Sequence, residues 1–243
     1  MVSHVRNLIE RGELRPGDRL PAERDLATQI GVSRPTVRAG LRALSAIGVI
    51  QSRHGSGTFI ADGPPSLGTD ALSFLAALHG FTREEMYEAR RMLEVGAAGL
   101  AAERATPDHI ATLAEEVAGM FAAMDHPDVF LVHDINFHRA VAAASGNPIV
   151  ASLVEMVSAL YYESRRETAA RASDRDLRDA AEMHRRIYQA IRSRDGETAR
   201  QNMHAHLVQA SEHQAQERAE AAAASESRPA SGHARVKRRA ASQ

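Results

Sequence analysis

Glycine and proline punctuate this chain in two different rhythms, and no other feature constrains its fold as tightly. Up to Ile60 the breakers crowd together at Gly12, Pro16-Gly17, Pro21, Gly31, Pro35, Gly48 and Gly55-Ser56-Gly57. Proline lacks the N–H that an interior helical turn needs, and glycine tolerates the left-handed end of one, so each interval holds a short element. After "ADGPPSLG" (61–68) the rhythm lengthens. Pro107, Pro127, Gly146, Pro148 and Gly196 stand near the ends of long alanine-rich stretches with helical periodicity. Short elements followed by long helices predict two domains, and 243 residues allow each to bury a core. The expected organisation is a first domain over 1–62, a linker over 63–69, an all-helical domain over 70–216 and a disordered basic tail over 217–243.

In the first domain "SHVRNLIERGEL" reads as a helix with Ser3 as its cap and Val5, Leu8 and Ile9 as its apolar stripe. A second helix opens at Pro21, carries Leu26 and Ile30 four apart, and closes at Gly31. A third starts from a Ser33 cap with Pro35 in its first turn and ends at Gly48. In "VIQSRHGSGTFI" β-branched and apolar residues flank Gly55-Ser56-Gly57, the pattern of a hairpin. Beyond the linker, periodicity predicts helices over 70–79, 82–105, 107–123, 127–145, 148–170, 174–193 and 196–216 and gives no strand signal. The expected fold is therefore mainly α, an N-terminal winged helix-turn-helix followed by a C-terminal all-α antiparallel bundle.

Composition removes several function classes. No apolar run approaches the roughly 18 residues that cross a bilayer, and no signal peptide is visible, so no membrane role is expected. The absence of cysteine excludes disulfides, thiolate metal sites and cysteine nucleophiles, and it fits a reducing compartment, so a cytoplasmic location is expected. The net charge of −1 conceals an uneven distribution: +3 over 1–62, −7 over 63–212 and +3 over 213–243. A basic first segment suits a polyanion, whereas the acidic centre argues against nucleic acid wrapping the whole molecule.

On the third helix Val37, Leu41 and Leu44 form one stripe, and Arg34, Arg38 and Arg42 form a second beside it. Two helices joined by a tight Gly turn, the second starting Ser-Arg and followed by a Gly-tipped hairpin, match a winged helix-turn-helix. The stretch "LRPGDRLPAERDLATQIGVSRPTVRAGLRALSAIGVIQSRHGSGTFI" closely resembles the DNA-binding domain of the GntR family of bacterial transcription regulators. Its P-G-x-x-L-P-x-E-R, V-S-R-x-T-V-R and G-x-G-T-F segments carry the likeness together, over nearly all of residues 1–60. The resemblance implies that Arg24, Arg34, Thr36 and Arg38 meet phosphates and base edges of double-stranded operator DNA, with His54 and Gly55 of the wing in or near the minor groove. Arginine suits such positions because its fork grips a guanine edge or a phosphate through two bonds. The chain departs from the family pattern in a short segment before Pro16 and in Gly40, where a better helix former is usual and glycine costs about 1 kcal/mol.

In "DINFH" (134–138), Asp134, His138 and Val141 share one narrow helical stripe with an inward face that also carries Phe130 and Phe137. An ion pair, ordinary hydrogen bonds or a bound cation must offset the desolvation of those two polar groups. His184 shares a face with Leu177, Ala181, Ile187 and Ile191, and His206 lies near Ala199, Met203 and Ala210. One carboxylate and three imidazoles form a ligand set for Zn²⁺, Ni²⁺ or Mn²⁺, but spacing alone does not bring three helices together. Residues 70–216 resemble the FCD effector domain of the FadR subfamily, through "YEARRMLE", "DINFH", "ASGNP", "EMHRRIYQAI" and "NMHAHL". The likeness implies a divalent metal on Asp134, His138, His184 and His206. It also implies that Arg90 holds the carboxylate of a small organic acid, and Asn202 is expected to line the same pocket. Against this, Arg90 also reads as the partner of Glu94 one turn on. Asn147 is read as a helix cap, and His133, His204 and His213 as surface residues.

The expected function is a ligand-responsive transcription repressor acting as a homodimer on a palindromic operator. Two alternatives stand beside it: a regulator of the same fold without metal, and a metal-dependent enzyme. The enzyme is disfavoured by the lack of an H-E-x-x-H motif, a nucleophile elbow or a spare inward carboxylate to act as base.

Overall fold

The computed structural model describes residues 1–62, 69–166 and 172–226. In the first domain α1 (Val2–Glu10), α2 (Glu23–Ile30) and α3 (Arg34–Ala46) precede an antiparallel hairpin of β1 (Ile50–Arg53) and β2 (Gly57–Ile60). The register sets Ile50 against Ile60 and Arg53 against Gly57, and the tip turns through positive φ at Gly55 (71°) and Gly57 (116°). On the other edge of β2, the Leu20 N–H donates to the Thr58 carbonyl and the Ile60 N–H to the Asp18 carbonyl, both at 2.8 Å. The chain leaving the Pro16-Gly17 turn thereby pins the wing to the domain. Val5, Leu20, Leu44, Ile50 and Ile60 form the core beneath it.

The third helix begins as its sequence predicts: Ser33 Oγ accepts the Thr36 N–H at 3.3 Å, with Pro35 in the first turn. Gly31 closes α2 in the left-handed conformation. Two helix starts differ from expectation. Ser3 does not cap α1, because the helix already runs from Val2 and the Met1 carbonyl accepts the Val5 N–H at 3.1 Å. Pro21 precedes α2 rather than opening it, since Ala22 is still extended and α2 starts at Glu23, where acidic Glu23 and Asp25 face the positive end of the helix dipole. Gly40 has a packing reason: a Cβ there would overlap the Met1 side chain, so the propensity cost permits α1 to lie close on α3.

The second domain consists of α4 (Thr69–His79), α5 (Arg83–Arg104), α6 (Pro107–Ala122), α7 (Pro127–Ala144), α8 (Pro148–Arg166), α9 (Asp174–Arg192) and α10 (Gly196–Glu226). Prolines open α6, α7 and α8, where a missing N–H costs nothing. Capping boxes of Thr82 with Glu85 and Ser173 with Asp176 start α5 and α9. Asn147 is a cap, its Oδ1 accepting the Ile149 N–H at 3.1 Å. Alanines 97, 98, 101 and 102 of α5 leave room for the neighbouring helices. Around them Leu113, Met120, Phe137, Val141, Ile187, Ile191, Met203 and Leu207 close a continuous core.

Helix α10 continues to Glu226, past the expected end at residue 216, because "AEAAAASE" joins the best helix formers without a breaker. The first part of the segment expected to be disordered is therefore helical, and Thr69, expected in the linker, begins α4. The rest of the linker, the rest of the tail and the expected extension of the 148–170 helix beyond Arg166 lie outside the described residues. Among the described residues no helix is long and apolar enough to cross a membrane.

Candidate functional site

Three helices bring the quartet together. Asp134 and His138 come from α7, His184 from α9 and His206 from α10, all buried, and one ligand atom from each lies within 4.8 Å of every other. His138 Nε2 is 3.3 Å from His184 Nε2 and 3.2 Å from His206 Nε2, while His184 Nε2 is 3.2 Å from Asp134 Oδ1. Two atoms bound at about 2.1 Å to one ion at right or tetrahedral angles are about 3.0–3.4 Å apart, so these separations suit a shared cation.

Protonation sharpens the point. His184 Nδ1 lies 2.7 Å from the Ala180 carbonyl, which only accepts, so that nitrogen carries the proton. His138 Nδ1 stands 2.5 Å from Glu94 Oε2 and carries its proton toward that carboxylate. When neutral, both rings therefore turn Nε2 lone pairs toward each other, and His184 turns its lone pair on a carboxylate as well. Acceptors facing acceptors in a dry interior are unfavourable until an extra proton or a cation sits among them. Burial, together with the neighbouring His184 and His138, pushes the His206 imidazole well below its ordinary value, and burial lowers His138. Burial alone would raise Asp134, but its contacts with His184, His138 and Arg90 hold its carboxyl well below the usual range. Asp134 Oδ2 has no hydrogen-bond partner among the described residues. The lowered Asp134 carboxyl and the lowered His138 and His206 imidazoles favour anionic oxygen and neutral nitrogen at those three positions, the protonation states of metal ligands.

Glu94 is the functional residue that sequence reading undervalued. Periodicity offers it only as the alternative partner of Arg90, and no inward carboxylate is expected beyond the quartet. The structure corrects that: Glu94, 2% exposed, accepts from Arg90 Nε at 2.7 Å through one oxygen and faces His138 through the other. Burial would raise its carboxyl, but Arg90 and His138 outweigh that and hold it down to about 2. A carboxylate behind an imidazole is the arrangement that fixes a metal-ligating histidine. The signal available in sequence was Glu94 on the inward stripe of α5, one turn from Arg90.

Arg90 is buried against Glu94, with its guanidinium carbon 4.3 Å from the Tyr161 ring centroid. A cavity of about 80 Å³ lies on the other side of the quartet, among Asp134, Tyr161, Arg165, Asp176, His206, His213, Gln214 and Glu217. Neither Arg90 nor Asn202 is in its wall. The structure contradicts the pocket placement of Asn202, whose amide instead donates to the Arg186 carbonyl at 3.3 Å, because its position on α10 faces α9 rather than the cavity. His213, expected at the surface, lines the cavity, and half-buried His133 pairs with Glu116 at 2.8 Å.

In the first domain Arg24, Arg34, Thr36, Arg38, His54 and Gly55 are all exposed. Arg34 and Arg38 project from α3 and His54 and Gly55 from the hairpin tip. Arg38 is clasped by Glu23 of α2, at 3.2 Å from Nε and 2.8 Å from Nη2, a partner the sequence reading missed. Thr36 Oγ1 bonds Ser33 Oγ at 2.8 Å. Arg53 lies over the Phe59 ring and pairs with Asp62.

A winged helix-turn-helix with an exposed basic recognition helix, joined to an all-α domain with a buried polar centre, defines a DNA-binding transcriptional regulator. Residues 1–60 match the family of bacterial regulatory proteins called gntR, and residues 85–209 match the FCD domain. The chain belongs to the GntR family, in its FCD-bearing FadR subfamily. It is 32% identical over 204 residues to the HTH-type transcriptional regulator LutR of Bacillus subtilis, covering 83% of this chain and 93% of that one. It is 33% identical to a putative L-lactate dehydrogenase operon regulatory protein of Escherichia coli (85% and 82% covered). Among solved structures, Streptococcus agalactiae GntR shares the fold with a TM-score of 0.61 and 28% identity over 87% of this chain and 97% of that one. These relatives are regulators, not enzymes, so the second inward carboxylate does not revive the enzyme alternative.

Proposed function

We propose that this regulator is a homodimeric repressor in the cytoplasm. Its second domain holds a divalent metal, Zn²⁺, Ni²⁺ or Mn²⁺, on Asp134, His138, His184 and His206, and a small carboxylate in the adjoining cavity tunes its grip on operator DNA. The observation that carries the reading is the meeting of three imidazole Nε2 atoms and a carboxylate in a buried space, where the neutral His138 and His184 rings turn lone pairs toward each other. Glu94 and the Ala180 carbonyl would hold two of the imidazoles in the ligating tautomer. When bound, the metal supplies a Lewis-acid grip on a carboxylate oxygen at the cavity wall.

A cavity of about 80 Å³ is small for a ligand pocket, which points to a small acid as the effector. The relative named for an L-lactate dehydrogenase operon makes a short hydroxy acid the first to try. Arg90 serves the site by holding Glu94. Arg24, Arg34, Thr36 and Arg38 contact operator DNA, with His54 and Gly55 at the minor groove. Exposed Phe74, Leu78 and Phe81, the last of them lining an apolar groove between α4, α5 and α8, are the kind of surface a second copy covers. Elemental analysis of protein purified without chelator, paired with operator binding with and without L-lactate, tests the reading. About one metal per chain and an acid-dependent operator affinity are expected, and metal-free protein with an unaltered acid response would overturn the metal.

A further inference from the structure

The wall of the cavity beside the quartet includes an arginine. Arg165, on α8, lines it and is clasped by Glu217 of α10 through two bonds, Nη1 to Oε2 at 2.5 Å and Nη2 to Oε1 at 3.1 Å. The pair is mostly buried, with side chains 13% and 17% exposed. Gln214, itself 4% exposed, lines the same cavity, and its amide donates to the Tyr161 hydroxyl at 3.3 Å. Its Oε1 is buried with no hydrogen-bond partner among the described residues.

We propose that Arg165 and Glu217 form a carboxylate-operated latch: Arg165 receives the effector's carboxylate, and Glu217 is the internal carboxylate that the effector displaces. The inference rests on reading this cavity as the effector site. Glu217 already shows what the Arg165 fork accepts, a planar carboxylate bound through both oxygens. A buried guanidinium cannot lose its partner cheaply, but exchanging one carboxylate for another keeps it satisfied. Glu217, its side chain already 17% exposed, moves into water as it leaves. Gln214 supplies the unmet polar contact that a bound acid with a hydroxyl would complete. Arg90 is not placed for this role, because it is already held by Glu94 outside the cavity wall. The exchange also has a mechanical result. Arg165 and Glu217 tie α8 to α10, so an arriving acid unties them and turns binding into a change of helix packing.

The test uses zinc-loaded full-length chain titrated calorimetrically with acetate and with L-lactate, comparing the unsubstituted protein with Glu217→Gln and Arg165→Lys. Without its internal competitor, Glu217→Gln should bind both acids about tenfold more tightly, and Arg165→Lys, which keeps charge but loses the fork, about tenfold more weakly. Zinc content should be unchanged in both, and matching circular dichroism melts show that each is folded. The latch is overturned if Glu217→Gln gains no affinity, if Arg165→Lys loses none, or if no acid binds any form. Acid binding that follows these two substitutions in protein carrying no zinc would remove the metal and leave the latch standing. Full zinc with acid affinity indifferent to both would do the opposite.

Discussion

Replacing Glu94 by Gln tests the buried polar relay most directly, because the variant keeps the shape and removes only the charge. In the folded chain the carboxyl sits at about 2, against 4.5 for an unperturbed glutamate. At 1.36 kcal/mol per unit, that difference amounts to about 3 kcal/mol of folded-state stabilisation at neutral pH. The same size follows from the other direction, since stripping one partner from a buried ion pair costs about 3–5 kcal/mol and Arg90 would be left buried and unpaired. The sign is that of a depressed carboxyl: the stabilisation is complete above about pH 4.5 and is lost as pH falls toward about 2. Urea unfolding of chelator-treated wild type and Glu94→Gln across pH 7 to 3 should therefore show a gap of about 3 kcal/mol that narrows below pH 4.5. In metal-loaded protein the variant should also bind metal about 10- to 100-fold more weakly, because His138 loses the group that orients it. Equal stability at pH 7, or a gap that persists unchanged into acid, would refute the relay.

His184→Ala should lower bound metal severalfold or more and blunt the acid response while leaving operator affinity without effector close to wild type; elemental analysis beside a gel-shift titration reads both. Arg38→Ala should weaken operator binding about tenfold or more and flatten its salt dependence, with acid binding unchanged, as fluorescence anisotropy at several salt concentrations would reveal. Ser33→Ala removes the oxygen that accepts the Thr36 N–H and should destabilise the first domain by about 1 kcal/mol, seen as an earlier urea midpoint. An unchanged midpoint would show that the cap contributes nothing to the recognition helix.

Much of this molecule was legible in one dimension because its information is local. Pro107, Pro127 and Pro148 mark helix starts wherever they occur, Ser33 caps the residues just after it, and the Gly55–Gly57 turn needs only its own φ angles. Local reasoning misplaced Ser3 and Pro21 because neighbouring backbone decided those starts, and it stopped α10 early because periodicity fades where a helix no longer packs, although its alanines continue. The inward stripe of α7 announced Asp134 and His138, yet not their partners. Asp134 turns to His184 rather than to the histidine one turn away, and His138 turns to Glu94 of another helix.

Sequence by itself therefore determined the order and type of elements and which of the quartet's side chains would face inward, since each depends on spacing along a single stretch of chain. Only tertiary structure decided that four of those side chains meet within 4.8 Å, that Glu94 stands behind one of them, and that Arg165 rather than Arg90 lines the cavity. The physical reason is that a helix's own period fixes the face a residue occupies, whereas what that face meets is set by how helices distant in the chain pack together.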